Sequence, residues 1–89
     1  MKVHEIKLRK EFADEVLSGQ KSFEIRENDR GYQKGDFVKF KLIDSIGTPY
    51  TLHPLNNELF EITYVLSGWG LKEGYVAFSI KKIEKEEAK

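Results

Sequence analysis

Apolar and polar residues alternate from Val3 to Arg9, with Ile6 and Leu8 on one face and Glu5, Lys7 and Arg9 on the other. That two-residue period predicts a half-buried strand. The period lengthens at Lys10–Leu17, where Phe12 with Val16 and Ala13 with Leu17 are i,i+4 pairs and Asp14 and Glu15 point outward. This predicts a short helix of about two turns. Ser18-Gly19 ends it, because glycine suits the left-handed position that follows a helix. From Ser22 to Arg26 the alternation returns and predicts a second strand, with Phe23 and Ile25 toward the core and Glu24 and Arg26 on the opposite face.

Further strands are predicted around Val38, Phe40 and Leu42; around Phe60, Ile62, Tyr64 and Leu66; and from Tyr75 to Lys81, with Val76, Phe78 and Ile80 inward. Asn28-Asp29-Arg30-Gly31 and Lys34-Gly35-Asp36 are turn sequences. Asp44–Asn57 holds both prolines and predicts a long irregular connection, with a short edge strand at Thr48–Leu52. The resulting class is α+β, mainly β. A partly closed antiparallel β-barrel of five to six strands, with one short helix between the first two, buries the apolar faces most economically. The pattern predicts one domain over residues 1–82 and a charged tail over 83–89.

Composition narrows the function. Eighty-nine residues with 39% hydrophobic content support one modest core. Absence of cysteine rules out disulfides, thiolate metal sites and thiol catalysis. No apolar run approaches the roughly 20 residues that span a bilayer, so the expectation is a cytoplasmic protein without a membrane partner. Fifteen basic residues balance fifteen acidic ones, which argues against strong non-specific duplex binding and leaves room for a local basic cleft.

The chemistry concentrates in Gly19-Gln20-Lys21-Ser22-Phe23-Glu24-Ile25-Arg26. Glu24 and Arg26 share a strand face, about 6.6 Å apart along the backbone. Arg26 offers a planar fork to phosphate or carboxylate, and Glu24 accepts from a base edge or neutralises the arginine. Strict alternation puts Lys21 on the other face, so it joins the pair only where the turn re-aims it. The competing reading is a surface ion pair worth at most about 1 kcal/mol. Trp69, between Gly68 and Gly70, either stacks a base or caps the end of the barrel. His4 and His53 show no partner in sequence, and no metal site or cofactor is expected.

The string Gly19-x-Lys21-x-x-Glu24-x-Arg26 after a short helix resembles the signature of the ASCH domains, which belong to the PUA-like β-barrels. The Gly35-Asp36 turn and the Gly74-Tyr75-Val76 strand are similar as well. The resemblance extends over nearly the whole chain and is strongest to short, stand-alone bacterial and phage members. It implies a PUA-like barrel whose cleft beside the helix presents Lys21, Ser22, Glu24 and Arg26 to RNA or a nucleotide-like small molecule. Some members are enzymes, including a small amidohydrolase acting on acetylated cytidine. That enzyme is similar at Lys21, but it carries threonine where this chain has Glu24, and its further catalytic glutamate has no match here. The leading expectation is therefore a binding module, monomeric or weakly homodimeric. The alternatives are a hydrolase or nuclease using Lys21 and Glu24, or a structural interaction domain.

Overall fold

The computed structural model describes residues 1–84; the rest of the predicted tail lies outside the described residues. Five strands form one sheet: β1 (Val3–Arg9), β2 (Phe23–Glu27), β3 (Phe37–Ile43), β4 (Phe60–Ser67) and β5 (Tyr75–Lys82). The one α-helix among the described residues, α1 (Ala13–Ser18), follows a 3-10 turn at Lys10–Phe12 and lies between β1 and β2. The class is mainly β with one short helix, as the alternation predicts.

The strand order is β1-β3-β4-β5-β2, and the sheet is mixed. β1 runs parallel to β3, whereas the other pairs are antiparallel. The expected antiparallel closure into a barrel is therefore not made, and β1 and β2 remain two separate edges. Side chains occupy the gap between them. Arg26 Nη2 donates to the Lys7 carbonyl at 2.6 Å, and Arg30 Nη1 donates to the Glu5 carbonyl. These guanidinium groups take two carbonyls that a neighbouring strand would otherwise use, so they seal the gap without a ladder.

The inner face carries the core. Ile6 and Leu8 of β1, Val38, Phe40 and Leu42 of β3, and Val76, Phe78 and Ile80 of β5 are buried together, as their period predicts. Ala13 and Val16 dock α1 onto the same cluster. β4 departs from simple alternation because its register with β5 shifts between Ile62 and Tyr64. That bulge flips the later half of the strand: Phe60 and Ile62 are buried, but Tyr64, expected inside, is 62% exposed. The expected edge strand at Thr48–Leu52 reduces to one bridge between Ile43 and Pro49.

The largest inversion is in β2. Glu24 is only 3% exposed, while Phe23 and Ile25 are 49% and 54% exposed. Glu24 and Arg26 do share a face, but it is the inner one. The helix residue Phe12, expected to pack inward against Val16, is likewise exposed. All of these positions border the gap between β1 and β2.

Candidate functional site

Gly19 ends α1 at φ +87°, where its N–H reaches the Val16 carbonyl at 3.2 Å. A glycine tolerates this left-handed geometry without the penalty a Cβ brings. Two residues later the Lys21 N–H donates to the Glu15 carbonyl at 2.9 Å, so the turn is folded back onto the last turn of the helix. Lys21 thus lies ahead of β2 and escapes its parity. Lys21 Nζ donates to Glu24 Oε2 at 2.5 Å and to the Phe23 carbonyl at 3.0 Å. Arg26 Nε donates to Glu24 Oε1 at 3.0 Å.

The three charges converge. Moving a lone carboxylate out of water costs several kcal/mol, and two opposite charges with directed N–H donors offset that cost. Each cation keeps partial contact with solvent, whereas the Glu24 side chain is almost wholly covered. Glu24 therefore holds the cations in place and the cations face outward. Lys21 spends two of its three ammonium protons on the protein, leaving one for a ligand.

These groups form one end of a cleft of about 430 Å³ in the gap between β1 and β2. Four basic residues, Lys7, Arg9, Lys21 and Arg26, line it with Glu24, and although Arg9 is paired with Glu11 at 3.0 Å, the remaining excess of positive charge suits an anion. Aromatic surface adjoins the charge: Lys21 Nζ sits 5.0 Å from the ring centre of Phe23 and 5.7 Å from that of Phe12. Phe12, Phe23, Lys7 and Arg9 are contributors that sequence reasoning missed. Their signal was the ambiguity of β2, since alternation pairs Glu24 with Arg26 and Phe23 with Ile25 but does not say which pair faces in.

The other expected site residues separate from this cleft. Ser22 and Gly19 line a second hollow of about 270 Å³ on the far side of Lys21, beside Phe60, Ile80 and Lys82. Trp69 lies on the β4–β5 loop at φ +55° and is 89% exposed, so it neither caps a barrel end nor lines the cleft.

Both histidines have partners elsewhere. His4 Nε2 is 2.9 Å from Asp36 Oδ2 in the core, under the ring of Tyr32. Asp36 also accepts from the N–H groups of Lys2 and Gln33. Burial pushes the Asp36 carboxyl up, but these hydrogen bonds outweigh it and hold the group below its ordinary value. Burial likewise pushes the Tyr32 phenol above its ordinary value. His53 Nε2 is 2.7 Å from Asp14 Oδ1, and its Nδ1 accepts from the Leu55 N–H. Neither histidine lines the cleft. Among the described residues no group of three or more His, Asp or Glu side chains is placed to hold a metal.

Fold and site together define a small mixed-sheet domain with a basic, aromatic-rimmed cleft at its open edge. The pattern of the family described as a domain of unknown function, DUF3850, matches residues 3–80, and the chain belongs to that family. An uncharacterized 12.9 kDa protein from the GpA 3′ region of Escherichia phage P2 is 49% identical over 35 residues. That match covers 39% of this chain and 32% of the phage protein. The crystal structure of hypothetical protein PH0355 is similar with a TM-score of 0.60, covering 93% of this chain and all of that one at 18% identity. At that identity the likeness is one of fold.

Proposed function

We propose that this chain is a cytoplasmic RNA- or nucleotide-binding module related to the ASCH and PUA-like domains, with its ligand in the cleft between β1 and β2. The observation that carries the reading is the convergence of Lys21 and Arg26 on buried Glu24 beside exposed Phe12 and Phe23. Pre-positioned cations serve a phosphate or a base carbonyl without reorganising at the moment of binding. An exposed ring next to them gives a base a face to stack on, worth about 1–3 kcal/mol per base. Glu24 acts as the positioning residue, and Lys21 and Arg26 make the contacts.

Titration of labelled short single-stranded RNAs and of free nucleotides, at low and high salt, tests the proposal. Lys21→Ala and Phe23→Ala are expected to weaken binding about tenfold or more. Phe23→Ala should keep the parent's urea midpoint, because the ring is half exposed. Lys21→Ala should lower the midpoint, because buried Glu24 keeps only Arg26, so it is titrated at a temperature where its unfolding curve shows it folded. Equal and negligible affinity of the parent and both variants for every ligand refutes it.

A further inference from the structure

The outer face of β2, β5 and β4 is uncharged and mostly apolar across three adjacent strands, its one hydroxyl pair, Ser79 with Thr63, satisfied internally at 2.7 Å. The register aligns Phe23, Ser79 and Tyr64 in one row and Ile25, Ala77 and Leu66 in the next. The bulge at β4 contributes, because it turns Tyr64 outward to join a strand whose apolar residues already point out. Charge on these three strands appears only at the two ends of this stripe, with Lys21 beside its Phe23 edge. Glu27 pairs with Tyr75 at one end, and Lys81 pairs with Glu61 at the other. A contiguous apolar patch of this size is within the range that monomers carry and often use for contacts, so its self-complementarity decides what covers it.

We propose that a second copy of this chain covers this face, in a two-fold dimer whose axis lies in the interface and runs across the strands at the level of Phe78. Such an axis reverses the order of the rows in the facing copy. Phe23 then lies over Ile25 of the second copy, and Tyr64 over Leu66. Lys81 lies over Tyr75 of the second copy and reaches Glu27 beside it, and the same contacts repeat on the other side of the axis. The face is thus complementary to itself in both polarity and charge. A nucleic acid fits it less well, because Lys21 lies only at its Phe23 edge, beside the cleft, and the middle rows across β5 and β4 hold no cation to meet a phosphate backbone. Three strands at about 4.8 Å spacing by about 20 Å of strand length give roughly 290 Å² per copy, about a third of a standard interface. The dimer is therefore weak, forming at high concentration and dissociating on dilution. Phe23 and Ile25 also line the cleft, so a ligand stacked on Phe23 competes with the second copy for that ring. Tyr64, Glu27 and Lys81 lie outside the cleft and report on the dimer alone.

Sedimentation velocity of the full chain from roughly 5 to 500 µM reads the outcome directly. The parent is expected to shift from the mass of one copy toward that of two. Tyr64→Asp should abolish the shift, and since the side chain is exposed, an unchanged thermal midpoint verifies its fold. Glu27→Lys and Lys81→Glu should each weaken association severalfold, while the double variant restores it, since exchanged charges still meet across the axis. A parent that stays monomeric throughout overturns the proposal. So does a dimer indifferent to Tyr64→Asp and to both charge reversals. RNA binding lost in Tyr64→Asp, with the parent monomeric, assigns the face to nucleic acid and overturns it equally. Loss of RNA binding in Lys21→Ala with association intact bears on the cleft alone.

Discussion

β1 and β2 border the same sheet and share a two-residue period, yet they face in opposite senses. β1 turns Ile6 and Leu8 inward and Glu5, Lys7 and Arg9 outward. β2 turns Glu24 and Arg26 inward and leaves Phe23 and Ile25 to solvent. The first arrangement is what the hydrophobic effect selects by default. The second is tolerated because Lys21 and Arg26 together neutralise Glu24, and because the gap beside an unpaired edge keeps those cations wet. A strand that buries its charges and exposes its apolar residues is giving up stability at one place, and that place is the cleft. The difference between the two edges is thus the best structural guide to the site.

The largest test of this contrast compares equivalent residues. Ile6→Ala on β1 should cost about 2–5 kcal/mol, as expected where a buried side chain leaves a cavity. Ile25→Ala on β2 should cost less than about 1 kcal/mol, since half of its surface is already solvated. Urea denaturation of both variants measures the pair, and similar losses would erase the distinction between the edges.

The charged residues should rank the other way. Glu24→Ala leaves Lys21 and Arg26 facing each other with no carboxylate between them. Removing one partner of a buried ion pair costs about 3–5 kcal/mol, and the partial exposure of both cations places this case nearer 2–3 kcal/mol. Glu5→Ala on the outer face of β1 should stay within about 0.5 kcal/mol. Denaturation curves that give the two variants equal stability would show that Glu24 is not holding its neighbours.

Much of this was legible in the sequence, and what was not has a physical cause. Alternation locates strands and pairs positions on a face, so β1, β3 and β5 have their core residues where the period puts them. Gly19 marks the end of the helix because few other residues accept its φ. The period does not say which face of an edge strand is covered, and for β2 only the tertiary arrangement decides. A bulge is a one-residue insertion into the ladder, so Tyr64 reads as inward until the register with β5 is known. Parallel pairing of β1 with β3 leaves no local trace either, since both strands carry the same alternation in any neighbourhood. Of the site, the meeting of Lys21 with Glu24 and Arg26 follows from the turn after Gly19. The separation of Trp69 follows from the β4–β5 loop, which carries it away from the gap.

Each edge also buries one polar residue on its inner face. On β1 it is His4, satisfied by Asp36 from the turn before β3. Asp36→Asn replaces a carboxylate that collects three N–H donors, and should cost about 1–3 kcal/mol near neutrality. Because the folded carboxyl sits below its ordinary value of 3.8, its contribution is complete above that value. The contribution is then lost as pH falls through the lower, folded one. The parent should therefore lose stability on acidification more steeply than Asp36→Asn, which urea midpoints at about pH 7 and about pH 3 compare. Parallel pH profiles would exclude Asp36 as a source of acid sensitivity.

The smallest expected effect falls on the gap itself. Arg30 is exposed and holds the Glu5 carbonyl, so Arg30→Ala removes a solvated hydrogen bond and should cost only about 0.5 kcal/mol globally. Its local effect should be larger, because β1 has β3 on one side and only arginine side chains on the other. Amide hydrogen exchange resolves the two scales: the N–H groups of His4 and Ile6, which face β3 in the ladder, should exchange faster in Arg30→Ala, while those of Phe40 and Leu42 in the sheet interior keep their protection. Uniform acceleration across β1 and β3 would mean that Arg30 supports the whole sheet. No acceleration anywhere would mean that Arg26 alone seals the gap, leaving the second guanidinium without a structural part in keeping the edges apart.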